Sequence, residues 1–585
     1  MSNKLVIPNP MPTDGYRTLS PREMAQRQSA LTCIRSKESA QCQGQVYATV
    51  FFDGTGNNMD WKEPGTLGKQ EELDKHSNVA RLFNARLDEP QNGFFSYYIP
   101  GVGTPFKQIG DVDGGDIALG RRKLGETAGY MGADRINWGI TRIFNAMHAR
   151  ATDGHALFTD AMAKTVANNM SSAIGAIGFE NSYRRRVLRK WEEKLSAVVK
   201  GSQRKITQIN VAVFGFSRGA AEARVFANWL SELLQQDDGG YALAGVPLRI
   251  YFMGLFDTVA SVGGSDAIPG VEGHLAWADG NMRIPPTVEQ CVHYIALHEQ
   301  RASFPLETAA IVRQVVYPGM HSDVGGGYLP TEQGKLSQLS QIPLNDMHFE
   351  AFKAGVPLLS REEIEGNPDY KKDFFIPPDL IKAYNAFWQD CDIGNASGTE
   401  VTRDFVHRHT HQYLQWRGGL FERWQALKTR AFYQRANAKD KADLDASQND
   451  LAQQIAAIRG RLRVTGEGTH DVLGHTPIVL IGRLFYDDPF QPVDATTRTL
   501  LAVMDSRVDL PDAVRRFLDD YVHDSRAGFN DIPKFRLEPY RLTGGYLRYR
   551  NIFQNERETG KTASAETSLP ASGAAPASDA RRELA

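Results

Sequence analysis

The stretch Val211-Ala212-Val213-Phe214-Gly215-Phe216-Ser217-Arg218-Gly219-Ala220-Ala221 decides how this chain is read. A short apolar, β-favouring run enters Gly-Phe-Ser-Arg-Gly and leaves into Ala221-Glu222-Ala223-Arg224-Val225-Phe226, which reads as a helix. A G-x-S-x-G pentapeptide between strand and helix holds its serine hydroxyl at the tip of a tight turn. Glycines at 215 and 219 leave room for that turn and for close packing of helix against strand. The helix N-terminus beyond it favours developing negative charge. Ser217 therefore reads as a nucleophile. On the pentapeptide alone, a strand-to-helix turn with a capping serine stays open.

Working outward, four more apolar runs end in turn residues. Val46–Phe52 ends in Asp53-Gly54-Thr55-Gly56-Asn57-Asn58, and Phe94–Ile99 in Pro100-Gly101-Val102-Gly103-Thr104. Leu248–Phe256 ends at Asp257, and Val312–Tyr317 runs into Pro318-Gly319-Met320-His321-Ser322-Asp323. Helical patterns such as Tyr183–Val199 and Ala220–Leu234 lie between them. Continuous apolar strands alternating with helices predict an α/β fold, a mostly parallel α/β-hydrolase-like sheet with helices on both faces. Ligands bind at the carboxyl ends of such strands, and those ends carry Asp53, Gly103, Ser217, Asp257 and His321.

A serine nucleophile needs a base and an acid that orients the base, following it in the order serine, acid, histidine in this fold. Asp257 and His321 fit that order and the sheet edge. His523, in Tyr521-Val522-His523-Asp524, is the rival base, at the end of a helix expected over Ala513–Val522. Asp323 reads as a turn-fixing residue or as an alternative acid. The oxyanion donors expected are the backbone amide of Arg218 and one from Gly54 or Thr55. His298 is read on a helix without a second zinc ligand, and His407, His409 and His411 as one face of a strand without a carboxylate cluster. No metal and no cofactor is expected. Gly54-Thr55-Gly56 and Gly101-Val102-Gly103 lack the third glycine of a dinucleotide site.

The 585 residues exceed what one simple core organises, and 41% hydrophobic content suffices for a large one. A formal net charge of −2 argues against nucleic-acid binding. Four cysteines are too few for a disulfide framework, and Cys33 and Cys42 read as ordinary thiols. No signal peptide and no transmembrane run is read, so the chain is expected to be made in the cytoplasm without a signal peptide. The expected divisions are an extension at 1–44, a catalytic core at 45–335, and a mainly helical insertion or accessory module at 336–465. A part packing on the core at 466–555 and a disordered tail at 556–585 follow. Residues 421–463 read as long charged helix broken near Ala436–Asp440, Ile478–Gly482 as a further strand, and 153–180 as packed helix and loop or as a lid.

Phe51-Phe52-Asp53-Gly54-Thr55-Gly56-Asn57, Gly215–Ala220, Gly254-Leu255-Phe256-Asp257-Thr258-Val259 and His321-Ser322-Asp323-Val324-Gly325-Gly326-Gly327-Tyr328 occur in order. Together they resemble the α/β-hydrolase family containing the type VI secretion antibacterial phospholipase effectors, over roughly residues 46 to 330, with Tyr521 to Arg550 read as belonging to the same family. The resemblance implies a phospholipase A-type serine esterase with a triad carried onto Ser217, Asp257 and His321. It also implies a membrane phospholipid substrate, a secretion-spike protein as carrier and a cognate immunity protein. It further implies transfer into a rival bacterium's periplasm. Hydrolysis of neutral lipids or small esters, and a non-catalytic binding or adaptor role, are the alternatives.

Overall fold

The computed structural model describes residues 4–35, 43–59, 75–112, 131–171, 180–237, 240–259, 282–309, 312–391, 402–421, 426–465, 493–506, 508–529 and 545–553. The expected strand Ile478–Gly482, the tail 556–585, Cys42 and part of the 153–180 stretch lie outside them. In chain order the strands are β1 (Lys4–Val6), β2 (Gln43–Phe52), β3 (Phe94–Ile99), β4 (Lys205–Phe216), β5 (Gln235–Asp237), β6 (Gly240–Leu243) and β7 (Val246–Phe256). They continue with β8 (Cys291–Ala296), β9 (Leu306–Glu307), β10 (Arg313–Tyr317) and β11 (Ile552–Phe553).

Seven strands form a parallel sheet in the order β1-β10-β8-β7-β4-β2-β3. The β5–β6 hairpin is antiparallel and attaches to β7. Alternate residues of each strand feed two cores. Val46, Ala48, Val50, Phe52, Val211 and Val213 join one, with the helices Gly132–Ala151 and Arg218–Leu233. Tyr47, Phe51, Ala212, Phe214 and Phe216 join the other, with Asn78–Asn84, Gln341–Ala354 and Asp512–Asp520. Burial on both faces is why these strands read as continuous apolar runs instead of alternating ones. The expected α/β fold is the fold observed.

The structure departs from the sequence reading at several elements. The N-terminal stretch is partly core, because β1 extends the sheet beside β10 and Leu5 is buried. Three residues, of which only Leu5 and Val6 are apolar, are too short a run to stand out as a strand. An unanticipated strand, β8, lies between β7 and β10, so His321 follows the second strand of this sheet after Asp257 and not the first. His407, His409 and His411 sit on the helix Thr402–Phe421, not on a strand. His298 lies in the loop after β8, outside any helix. The described part of the 153–180 stretch contains the helix Asp160–Met170, which buries Ala163, Val166, Ala167 and Met170 in the first core.

Candidate active site

Ser217 joins β4 to the helix Arg218–Leu233 with φ 58° and ψ −128°. Holding a non-glycine residue there costs on the order of 1–3 kcal/mol, which neighbouring contacts must offset. Ser217 N–H donates to Phe256 O at 3.0 Å, and Val259 N–H donates to Ser217 O at 3.2 Å. A Cβ on Gly219 would lie 2.2 Å from Asp53 O, and one on Gly215 would lie 2.5 Å from the Ala220 Cα. The two glycines are required by contact: a side chain at either would push the helix off the sheet and open the turn.

The same strand end carries Asp257, also at positive φ (40°), one residue beyond the Phe216–Phe256 register pair. Its Oδ2 lies 2.5 Å from His321 Nδ1. Its Oδ1 accepts the Ala296 N–H at 2.9 Å. Arg550 grips the same carboxylate from the other side, Nη1 to Oδ1 at 2.9 Å and Nη2 to Oδ2 at 2.7 Å. Burial alone would push the Asp257 acid up, but the Arg550 charge and then His321 hold it well below the usual carboxylate range. Burial lowers His321 below the ordinary imidazole value, with Asp257 opposing.

His321 opens a short helix, His321–Gly325, just past β10. Its ring packs on Phe216, the residue before Ser217, at 4.6 Å between centroids, and on Phe304 at 4.8 Å. With Nδ1 hydrogen-bonded to the carboxylate, Nε2 is buried with no hydrogen-bond partner among the described residues. Such an imidazole presents its Nε2 lone pair as a proton acceptor. The His321 backbone N–H donates to Glu299 Oε2 at 3.2 Å. Glu299 in turn accepts from Arg301 Nη2 at 2.9 Å and from Ser525 Oγ at 2.9 Å.

The loop after β2 is organised by Asp53, which is fully buried. Its carboxylate accepts from Ser77 Oγ at 2.5 Å, from the Tyr98 hydroxyl and from the Gly54 N–H at 2.7 Å. Burial nonetheless pushes the Asp53 acid up to about 6, with those donors opposing. The Gly54 amide is therefore committed to Asp53, which corrects the expectation that it could face an oxyanion. Thr55 follows it, with a buried Oγ1 that has no hydrogen-bond partner among the described residues. Asn78 ties this loop region to the histidine turn by donating to Val324 O at 2.9 Å and Ser340 O at 3.0 Å.

The two alternative residues come together with each other and not with the first three. His523 Nδ1 lies 2.6 Å from Asp323 Oδ1, and the His523 N–H donates to Asp323 Oδ2 at 3.2 Å. Asp323 Oδ2 also accepts the Met320 N–H at 2.9 Å, so it does fix the turn that carries His321. Tyr328 stacks on the His523 ring at 3.9 Å between centroids. Sequence reasoning missed Arg550 and Glu299 altogether. Glu299 had one local cue, a His-Glu-Gln-Arg cluster of polar residues directly after an apolar run.

A family model described as the type VI secretion system Tle1-like phospholipase effector, catalytic domain, matches residues 48–238 and 242–350, about half of the chain. The chain belongs to the Tle1-like phospholipase effector family. Its membership places it among the phospholipases of type VI secretion, as the four ordered motifs implied. An uncharacterized Pseudomonas aeruginosa protein of known crystal structure is similar over 94% of this chain and 84% of its own, with 25% identity and a TM-score of 0.69. A Tle1 effector solved bound to the VgrG spike of the type 6 secretion system matches at 17% identity over 63% of this chain and 83% of its own. Its TM-score of 0.33 adds no support to the fold assignment. No curated protein matches the chain. Among the described residues no helix is long and apolar enough to cross a membrane.

Proposed function

We propose that this chain is a serine esterase of phospholipase A type, cleaving acyl esters of glycerophospholipids. Ser217 Oγ attacks the acyl carbonyl as His321 Nε2 takes its proton, and Asp257 holds His321 in the tautomer that leaves Nε2 unprotonated. His321 then returns the proton to the departing glycerol oxygen, and water attacks the acyl-enzyme by the reverse sequence. The amides of Arg218, at the head of the helix, and Thr55 stabilise the oxyanion, each worth about 3 kcal/mol of barrier. The observation that carries this reading is the strained Ser217 turn, hydrogen-bonded on both sides to the strand end of Asp257, whose carboxylate engages His321.

The family's role in type VI secretion further supports delivery into a rival bacterium's periplasm as an antibacterial toxin. Carriage on a spike protein and neutralisation by a cognate immunity protein in the producer belong to the same proposal. A fluorophosphonate probe tests the nucleophile. It labels the wild type and leaves Ser217→Ala unlabelled if the assignment holds; labelling and phospholipid turnover that persist in Ser217→Ala refute it.

A further inference from the structure

Asp257 is fully buried, and a lone carboxylate at such a depth would rather take up a proton than stay charged. Three groups face it besides His321: the Ala296 amide and the two terminal nitrogens of Arg550. Among the described residues, Arg550 is the one of these groups that brings charge. Its guanidinium is itself fully buried and fully directed, with Nε donating to Phe304 O at 2.8 Å and Nη1 also reaching Ala296 O at 3.2 Å. The planar fork thus fixes both carboxylate oxygens at once, which a lysine ammonium cannot do.

Arg550 comes from a segment 293 residues further along the chain, and a second set of contacts holds that segment in place. β11 pairs parallel with β9, Ile552 opposite Leu306 and Phe553 opposite Glu307. Leu306 N–H donates to Asn551 O at 2.8 Å and Thr308 N–H to Phe553 O at 3.0 Å. β9 is pinned in turn from the Ser217 side. Glu307 N–H donates to Thr258 O at 3.0 Å, directly after Asp257. Arg224, on the helix that begins beside Ser217, donates to Glu307 O and Thr308 O, both at 3.0 Å.

We propose that Arg550 is a positioning residue for the esterase reaction. Its fork keeps Asp257 ionised and oriented so that Oδ2 faces His321 Nδ1, and the β9–β11 pairing makes this C-terminal segment part of the site. The proposal rests on the Ser217–His321–Asp257 reading and goes beyond it. Without Arg550 a proton settles either on Asp257, which then no longer orients the base, or on His321, which is then no longer a base. Both routes move the acid limb of the pH–rate profile upward. A purely structural role for Arg550 would lower the active fraction at every pH and leave the limb where it was.

The test uses full-length protein and a water-soluble short-chain p-nitrophenyl ester, with kcat/KM measured from pH 5 to 9 for wild type, Arg550→Lys, Arg550→Met and Arg550→Gly. Ser217→Ala serves as the control for the underlying reading. The expected result for Arg550→Met is a fall in kcat/KM of roughly 100-fold near neutral pH, with the acid limb shifted up by about a unit or more. Arg550→Lys keeps the limb near its wild-type position but loses on the order of tenfold in kcat, because one ammonium replaces a two-pronged fork. Added guanidinium ion restores part of the activity of Arg550→Gly. An unshifted limb in Arg550→Met together with no guanidinium rescue overturns the proposal. If Arg550→Met fails to fold, Arg550→Lys decides: wild-type kcat overturns it, and a reduced kcat at unchanged thermal stability upholds it. Activity surviving in Ser217→Ala instead removes the triad reading itself.

Discussion

Two aspartate–histidine pairs lie within one corner of this molecule, and they differ in almost everything but the pair itself. In the first, Asp257 stands on a strand end bonded to the backbone of Ser217, is forked by Arg550, and meets His321, whose ring rests on Phe216. In the second, Asp323 is bound to the backbone of Met320 and to both the backbone and the ring of His523, which lies under Tyr328. Each histidine has a buried Nε2 with no hydrogen-bond partner among the described residues, so the imidazole alone does not separate them. What separates them is the carboxylate. Asp257 spends its oxygens on a buried cation and a base. Asp323 spends its oxygens on holding a turn to a distant segment. The first arrangement suits charge developing on an imidazole during reaction, and the second suits a structural clamp that keeps the His321 turn closed.

The sharpest way to break this contrast is to remove each imidazole in turn. His321→Ala is expected to lose on the order of 10⁴–10⁶ in kcat, as removal of a catalytic base does, while His523→Ala stays within about tenfold of wild type. Ester turnover under saturating substrate reads both, and equal losses would erase the distinction. Next come the carboxylates. Asp257→Asn is expected to lose about 10⁴ in kcat through the wrong tautomer of His321. Asp323→Asn is expected to keep most of its activity but to lose roughly 1.5–3 kcal/mol of stability, the worth of buried hydrogen bonds to a charged group, seen in denaturant unfolding.

The pH profile sharpens the same comparison. In the proposed mechanism neutral His321 is the active form, and burial lowers its pKa, so activity is expected to fall on the acid side only where His321 gains its proton. The midpoint of that limb is expected below the ordinary imidazole value of about 6.5. A midpoint above it in wild-type protein contradicts the assignment. The smallest effect belongs to Tyr328→Leu, which removes the ring stacked on His523. It is expected to cost about 1 kcal/mol in thermal or denaturant unfolding with activity near wild type.

Much of the fold was legible because the sheet is buried on both faces. β2, β3, β4, β7 and β10 are apolar runs that end in turn residues, and a parallel sheet follows from them directly. β8 escaped because Cys291-Val292-His293-Tyr294-Ile295-Ala296 carries a histidine in its middle. That histidine is accommodated by burial beside the Thr258 amide, which donates to its Nε2 at 3.1 Å, and burial pushes its pKa down to about 3. β1 escaped because three residues carry no period. The proposed triad of Ser217, Asp257 and His321 was read from motif and chain order, and the structure pairs Asp257 with His321. The partnership of His523 with Asp323 was not, since each was weighed alone and their pairing spans 200 residues. Arg550 left no local mark, because its importance lies in a contact made by tertiary packing. Gly54 was read as an oxyanion donor from its place in a glycine-rich loop, yet the neighbouring aspartate takes its amide.

Ser217, served by the Asp257–His321 pair, is proposed to hydrolyse acyl esters of phospholipid. Mass spectrometry of products from vesicles carrying different acyl chains at the two glycerol positions tests it most directly. Wild-type protein is predicted to yield free fatty acid and lysophospholipid in equal amounts, with neither formed by Ser217→Ala. Release of a headgroup or phosphate with both acyl chains intact, or unchanged turnover in Ser217→Ala, would contradict it.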